Sequence, residues 1–303
     1  MPAVGCVCVA EDQDFAFLKR LADETEKDGW KLEYSKNSVK VWMKPGCNSN
    51  FKIIKLCGVL SDVPPSLLFD VLHDPNYRKE WDTHMIESFE IGYLNPNNDI
   101  GYYALKCPPP LKNRDFVVQR SWLDAGNEYL VLNHSVFHEK YPPRKGFVRA
   151  TSYITGYIIR PSGENDSELW YVSQTDPRGK LPPWLVNKVT HIFAPQMIKR
   201  LKIAAHAYGT WKALNSPHWK PWINPEQIII PRINLREDCN GDGVLSCADH
   251  ALLLKNRGLD CTSDEASKKK LYEDLAICEQ DPNADLPLDL DPFLRKKQVS
   301  PTG

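Results

Sequence analysis

Apolar and polar positions repeat with two different periods along residues 12–227. Residues 12–28 repeat apolar side chains at spacings of three and four, which predicts a short amphipathic helix. Residues 30–60 contain runs in which apolar and polar positions alternate, and this period of two predicts strands. Residues 62–74 carry a second helical pattern with proline in its first turn.

Six further runs with strand character lie between residues 84 and 176, joined by short turns rich in Pro, Asn and Gly. Consecutive strands with short connections favour one antiparallel sheet. A helical pattern then covers residues 183–208, and Pro195 inside it is expected to kink the helix or to mark a bend near Phe193. We therefore predict an α+β fold in which a curved antiparallel sheet packs around one long C-terminal α-helix. The space between them is a natural ligand cavity.

Composition and charge mainly exclude other classes of protein. The 303 residues carry 38 Lys and Arg against 39 Asp and Glu, so no strong net charge draws the chain to nucleic acid. No apolar run approaches the roughly 18 residues of a membrane-spanning helix. The first residues lack the basic and apolar regions of a secretory signal. We expect a cytoplasmic protein that binds no nucleic acid.

The pattern divides the chain into three segments. Residues 1–11 are predicted to be a flexible N-terminal tail, and residues 12–227 a folded domain. Residues 228–303 are predicted to be a linker and a C-terminal tail, which carries more acidic than basic side chains. The sequence leaves the oligomeric state open, and a monomer is our working expectation.

Several segments outside the simple core patterns occur in a recognisable order. They are YRKEWD (77–82), CPPPLKNRDF (107–116), KYPPRKGFVRA (140–150), DPRGKLPPWLVNK (176–188) and PHWKPWINPEQ (217–227). Over residues 12–227 the chain resembles the START lipid-transfer family. The resemblance implies the helix-grip START fold, in which the sheet and the C-terminal helix enclose a lipid tunnel. It also implies that the chain binds one glycerophospholipid, contacts membrane surfaces transiently and transfers the lipid between them.

The resemblance assigns the lipid phosphate to Arg78. In phosphatidylcholine-binding relatives the arginine of the YRK segment pairs with this phosphate, and the chain keeps that arginine. The assignment suits the chemistry, because a planar guanidinium can donate two charge-assisted hydrogen bonds to a phosphate. On the pattern alone, Arg78 could instead pair with Asp82 or lie at the surface.

The resemblance also places the lipid head group. Tyr103, Phe116 and Tyr153 stand where the choline-binding relative surrounds a quaternary ammonium with aromatic rings, and Thr155 stands where a glutamine is expected. Tyr103 replaces a tryptophan and Phe116 replaces a tyrosine. We therefore expect phosphatidylcholine, phosphatidylethanolamine or both as cargo. The alternative for each ring is ordinary packing within the sheet.

A motif that this family does not explain occupies residues 238–249, DCNGDGVLSCAD. It fits an EF-hand or dockerin-like calcium loop, in which oxygens at positions one, three, five, seven and twelve face one cation. The candidate calcium ligands are Asp238, Asn240, Asp242, Val244 through its carbonyl, and Asp249. The alternative is an empty turn rich in Asp and Asn, because no clear helix precedes the loop. No other cofactor is expected.

Two other classes of function compete with lipid transfer. One is a lipid-sensing or calcium-responsive adaptor, in which lipid loading alters contacts of the tail. The other is an enzyme of the same helix-grip fold, which needs an acid–base pair in the cavity. His134 and His138 share a strand face by spacing, although such residues are more often on the solvent side. The chain contains no GxSxG, HExxH or P-loop motif, so we expect no enzymatic activity.

Overall fold

A ten-stranded sheet dominates the part of the chain that the computed structural model describes, residues 4–46, 51–179 and 193–233. All of these residues belong to one unit, 1–252, and a second unit, 253–303, lies outside them. The strands are β1 (Lys31–Lys36), β2 (Val39–Lys44), β3 (Ile53–Leu60), β4 (Met85–Asn95), β5 (Asn98–Leu105), β6 (Asn113–Asp124), β7 (Tyr129–Ser135), β8 (Phe147–Arg149), β9 (Thr151–Pro161) and β10 (Ser167–Asp176). Their order is β1-β2-β3-β10-β9-β7-β6-β5-β4.

The predicted sheet is confirmed, with two local differences. Neighbouring strands along this order pair antiparallel, but β8 pairs parallel to β6. The sequence run GFVRATSYITGYIIR, residues 146–160, is one of the six predicted strands, but it forms two strands, β8 and β9, separated at Ala150. The described helices are α1 (Asp12–Asp23), α2 (Pro65–His73), α3 (Pro75–Trp81) and α4 (Ala194–Leu214), with 3-10 turns at Glu26–Asp28 and Pro225–Gln227.

The long C-terminal helix is confirmed, but its limits differ from those predicted. The described helix begins at Ala194, so Pro195 lies in its first turn, where the missing N–H has no helical partner to lose. It ends at Leu214, beyond the predicted end at residue 208. The predicted start at residue 183 falls within residues 180–192, which lie outside the described part.

The two faces of the sheet are covered by different helices. We call the face against α2 and α4 the inner face and the face against α1 the outer face. On each face, a glycine of the sheet allows the covering helix to approach closely. A Cβ at Gly58 would lie 2.8 Å from Cγ1 of Ile198 on α4, and a Cβ at Gly156 would overlap Leu18 of α1.

The prediction of a flexible tail over residues 1–11 is wrong for the segment that begins at Val4. The Gly5 N–H donates to Ser135 O at 2.9 Å, and Gly5 O accepts from the Phe137 N–H at 3.1 Å. Cys6 and Val7 are buried against the outer face. Burial of these apolar side chains and the backbone pairing explain why the segment is ordered onto the domain.

Part of the predicted linker also belongs to the domain. We call residues 231–233 the edge segment, because they pair with β4 at one edge of the sheet. The Tyr93 N–H donates to Pro231 O at 3.0 Å, and the Ile233 N–H donates to Tyr93 O at 2.7 Å. A Cβ at Gly92 would lie 2.8 Å from both Pro231 O and Ile233 Cγ1, so the glycine permits this contact. The calcium loop predicted at residues 238–249 lies outside the described residues and stays a prediction.

Lys55 on β3 fastens the end of α1 to the outer face. Its side chain is 2% exposed, and Nζ donates to Ala22 O at 3.1 Å and to Glu24 O at 2.5 Å. These carbonyls belong to the last turn of α1, where backbone acceptors lack helical partners. Nζ also lies 4.4 Å from the centroid of the Trp30 ring. Burial lowers the pKa of Lys55 to about 8.

The lowered pKa of Lys55 predicts how stability depends on pH. The unfolded chain holds the Lys55 proton more tightly than the folded chain does, so this residue's contribution to the free energy of unfolding rises from pH ~8 to pH ~10.5. We expect the difference in unfolding free energy between wild type and Lys55→Met to grow by about 2 kcal/mol from pH ~7.5 to pH ~10. Urea unfolding of both proteins at each pH measures it, and a difference that does not change with pH would contradict the prediction.

Candidate functional site

Of the four sheet residues predicted to contact lipid, three lie half-buried on the inner face, namely Tyr103, Phe116 and Thr155. Tyr103 on β5 and Phe116 on β6 are direct cross-strand partners. Thr155 lies on the same face of β9 as Tyr157, and its neighbour Ile154 points the other way, into the core beneath α1. Tyr153 lies where β9 shifts its register against β10, so the alternation does not extend to it. The alternation therefore brings Tyr103, Phe116 and Thr155 to the side of the sheet that faces α4.

Arg78 approaches the inner face from α3. Its Cζ lies 5.1 Å from the centroid of the Tyr103 ring, and its Nε donates to Asp82 Oδ2 at 3.2 Å. The Tyr103 hydroxyl donates to the same carboxylate oxygen at 2.9 Å. The Arg78–Asp82 pair, which the sequence left open as an alternative, is therefore present. Asp82 binds the Nε of Arg78, and the guanidinium still lies over the Tyr103 ring.

Tyr157 is a second tyrosine beside the same guanidinium, and the sequence did not single it out. Burial raises the pKa of Tyr157 and of Tyr103, while the positive charge of Arg78 acts in the opposite direction on both. Both phenols are therefore protonated hydrogen-bond donors at neutral pH. Tyr157 lies on β9 and Tyr103 on β5, with β7 and β6 between them, so the curvature of the sheet brings both to one charge.

Thr155 belongs to a row of hydroxyl groups that crosses from β9 to β10. Its Oγ1 lies 2.9 Å from Ser152 Oγ and 3.1 Å from Ser173 Oγ, which in turn lies 3.2 Å from Thr175 Oγ1. Burial raises the pKa of Tyr171, whose hydroxyl bonds within this group. The row can donate to and accept from a polar ligand group, because each hydroxyl can rotate its proton.

The helix that carries the guanidinium is fastened to α4. The Asp74 carboxylate caps α3 by accepting from the backbone N–H of Asn76 and of Tyr77, each at 3.1 Å. The same fully buried carboxylate accepts from the Tyr208 hydroxyl at 3.1 Å and from Lys212 Nζ at 2.7 Å, both on α4. The position of α3 against the sheet is thus tied to the position of α4.

A second charged cluster lies on the inner face farther along β6. Arg120 Nε donates to both carboxylate oxygens of Asp99 at 3.1 Å, and its Nη2 contacts Asp99 and Glu90. Burial raises the pKa of Glu90. The carboxylates compensate the charge of Arg120, which makes this cluster an internal ion-pair network. Within residues 4–46, 51–179 and 193–233, no group of three or more His, Cys, Asp or Glu side chains is placed to hold a metal ion.

Comparison with known proteins agrees with this architecture. The START domain family matches residues 9–211. The chain belongs to the START domain family. This START protein is 45% identical to mouse START domain-containing protein 10 over 240 residues, which cover 78% of this chain and 81% of that protein. It is 28% identical to mouse phosphatidylcholine transfer protein over 213 residues, which cover 67% of this chain and 97% of that protein.

A solved structure supports the same conclusion. The crystal structure of human STARD10 aligns with a TM-score of 0.71 at 44% sequence identity, over 76% of this chain and 94% of that chain. The helix-grip START fold implied by the resemblance is thereby confirmed. None of the helices within the described part of this START protein is long and apolar enough to span a membrane.

The roles of individual residues in the START domain stay predictions, although their placement is clear. Arg78 and Tyr103 contact each other, Phe116 adjoins Tyr103, Thr155 lies on the same face, and Tyr153 lies at the register shift of β9. Tyr157 could have been found from the sequence, because it follows Thr155 by two residues in the same strand pattern. The hydrogen bond between Tyr103 and Asp82 could not be predicted from such a period, because it joins the end of α3 to β5.

Proposed function

We propose that this START domain binds one glycerophospholipid between its inner face and α4 and transfers it between membranes. The carrying observation is Arg78, whose guanidinium lies over the Tyr103 ring on the inner face. An arginine on the face of the sheet that meets α4 suits an anionic group, and the phosphodiester of a phospholipid is such a group. The name of the related phosphatidylcholine transfer protein supports the same function.

The apolar side chains that α4 and the inner face bring together suit contact with acyl chains. Ile198 and Leu201 of α4 pack toward the inner face in one cluster with Leu56 and Leu169 of the sheet. At ~0.8 kcal/mol per CH₂, two chains of about 15 carbons would cost roughly 25 kcal/mol if exposed to water. The lipid therefore has to enter and leave while the protein touches a bilayer. This supports transient, peripheral contact with membranes. The cytoplasmic location stays a prediction.

We infer choline or ethanolamine as the head group. Aromatic rings at Tyr103, Phe116 and Tyr153 suit a quaternary ammonium. Hydroxyl groups at Tyr103 and Thr155, in place of a tryptophan and a glutamine, suit an ammonium that carries hydrogen-bond donors. This combination supports a site that accepts both phosphatidylcholine and phosphatidylethanolamine.

The placement of His134 argues against the enzymatic alternative. His134 and His138 were expected on the solvent side, but both are buried. His134 lies on the outer face, where Nε2 is 3.1 Å from Cys6 O beneath the N-terminal segment. It therefore has no access to the inner face. Together with relatives named as transfer proteins, this supports lipid transfer without chemistry on the lipid.

Mass spectrometry of the purified full chain tests the proposal. We expect one intact phospholipid per chain, with choline or ethanolamine head groups. In a second measurement, donor vesicles carrying fluorescent phosphatidylcholine are mixed with unlabelled acceptor vesicles, and exchange should rise in proportion to added protein. An adaptor would hold lipid without accelerating exchange, and an enzyme would release an altered lipid. Either result would replace lipid transfer as the function.

A further inference from the structure

Two clusters of tyrosine, aspartate and arginine lie back to back on β5. Tyr102 and Tyr103 are consecutive, so their side chains point to opposite faces. On the outer face, the Tyr102 hydroxyl donates to Asp115 Oδ2 at 3.1 Å, and Arg149 binds Asp115. On the inner face, the Tyr103 hydroxyl donates to Asp82 Oδ2 at 2.9 Å, and Arg78 binds that same oxygen. The two clusters share their chemistry but differ in geometry.

The outer cluster is closed. Arg149 meets Asp115 with two nitrogens, Nε at 3.1 Å and Nη2 at 3.0 Å. It also donates to the backbone oxygens of Tyr141 at 3.0 Å and Pro142 at 3.1 Å. The Asp115 side chain has no exposed surface. A guanidinium held in this way has its donors occupied by protein, so the cluster is structural.

The inner cluster is open at one edge. Arg78 meets Asp82 through Nε, and its side chain is 28% exposed against 12% for Arg149. The Tyr103 hydroxyl occupies the same Asp82 oxygen that Arg78 contacts. A carboxylate oxygen that already accepts from a phenol is less available for a two-pronged pair with arginine. The guanidinium also bonds to the neutral phenol of Tyr157, but among the described residues Asp82 is the carboxylate that pairs with it, so the charge of Arg78 can still take a second anion.

We propose that Tyr103 is a positioning residue, which holds Asp82 so that Arg78 presents its terminal nitrogens to the phosphodiester of the lipid. This inference rests on the proposed function and deepens it. It gives Tyr103 a task other than the wall of a choline cage. Burial raises the pKa of the phenol, which therefore stays protonated, and the carboxylate can only accept. The direction of the hydrogen bond is thus fixed, and the ring beneath the guanidinium restricts its tilt.

Tyr103→Phe tests this role, because the substitution removes one oxygen and keeps the ring. We expect exchange of phosphatidylcholine between vesicles to fall about fivefold, the equivalent of one ordinary hydrogen bond. Binding of diacylglycerol, which has the same acyl chains and no phosphate, should not change. Tyr102→Phe is the matched control, since it removes the same atom from the next residue on the other face. We expect it to lower the unfolding temperature without lowering exchange by the folded protein.

A double-mutant cycle separates positioning from packing. If Tyr103 acts through Arg78, Tyr103→Phe should cause no further loss of exchange in an Arg78→Met background. An equal loss in both backgrounds, or an equal loss of diacylglycerol binding, would overturn the proposal and leave phospholipid transfer intact. A wild-type chain that exchanges no phospholipid would overturn the proposed function itself. Unfolding temperatures of all variants identify any loss caused by misfolding.

Discussion

Arg78→Met is expected to lower phosphatidylcholine exchange between vesicles by about 100-fold while the chain still folds. Truncating one partner of an enclosed charge pair typically costs about 2–5 kcal/mol, and 100-fold corresponds to about 2.7 kcal/mol. Methionine keeps most of the apolar stem of arginine, so packing against Tyr103 is largely retained. The phosphate would lose its donors, and Asp82 would become an uncompensated negative charge near it. Exchange rates at matched protein concentration measure the effect.

Two controls sharpen this result. Arg78→Lys keeps the charge but not the planar fork, so we expect a loss of about tenfold, between wild type and methionine. Arg144→Met removes an arginine whose partner is Glu87, in a pair with exposed side chains of 45% and 42%, and exchange should stay at the wild-type rate. Full exchange by Arg78→Met, with phospholipid still copurifying, would reject Arg78 as the phosphate ligand.

The second large effect is expected at Asp74, where alanine should lower the free energy of unfolding by about 4 kcal/mol. The substitution removes both hydrogen bonds that cap α3. It also leaves Lys212, which is only 6% exposed, without the carboxylate 2.7 Å from its Nζ. Urea unfolding followed by tryptophan fluorescence measures the change.

The companion substitution is Lys212→Met in the Asp74→Ala background. Because the unpaired ammonium of Lys212 causes much of the expected loss in unfolding free energy, removing it should recover about 1–3 kcal/mol of that free energy. Asp74→Asn serves as the control that keeps a capping oxygen and removes the charge, and it should fall between wild type and alanine. If Lys212→Met instead lowered stability further, the ion pair would not be what holds α3 to α4.

The faces of the strands could be predicted well, because a period of two is a local property. Within β9 it puts Thr155 and Tyr157 on one face, whereas the choice of Phe116 and Thr155 as lipid contacts came from the family resemblance. The pairing of Gly5 with Ser135 and of Ile233 with Tyr93 could not be predicted in this way. Each joins residues that are far apart in the chain, and a short segment gives no local signal of its partner. That is why both terminal segments were expected to be free.

The candidate site shows the same limit at closer range. Family resemblance pointed to Arg78 and Tyr103 as separate contacts, one for phosphate and one for the head group. The shared oxygen of Asp82 depends on where the end of α3 meets β5. The approach of Tyr157 depends on how strongly the sheet curves between β5 and β9. Both are properties of tertiary packing, which no spacing along the chain encodes.

The edge segment bears on how the protein avoids aggregation. As an outermost strand, β4 carries backbone groups that could template pairing with another molecule, and residues 231–233 occupy part of that edge. A chain cut after residue 227 would keep all the strands and helices described above, yet it would uncover these groups and the glycine at position 92. The edge segment thus shields part of the β4 edge from other molecules. We expect a chain without it to lose solubility while the protein that stays in solution still exchanges lipid.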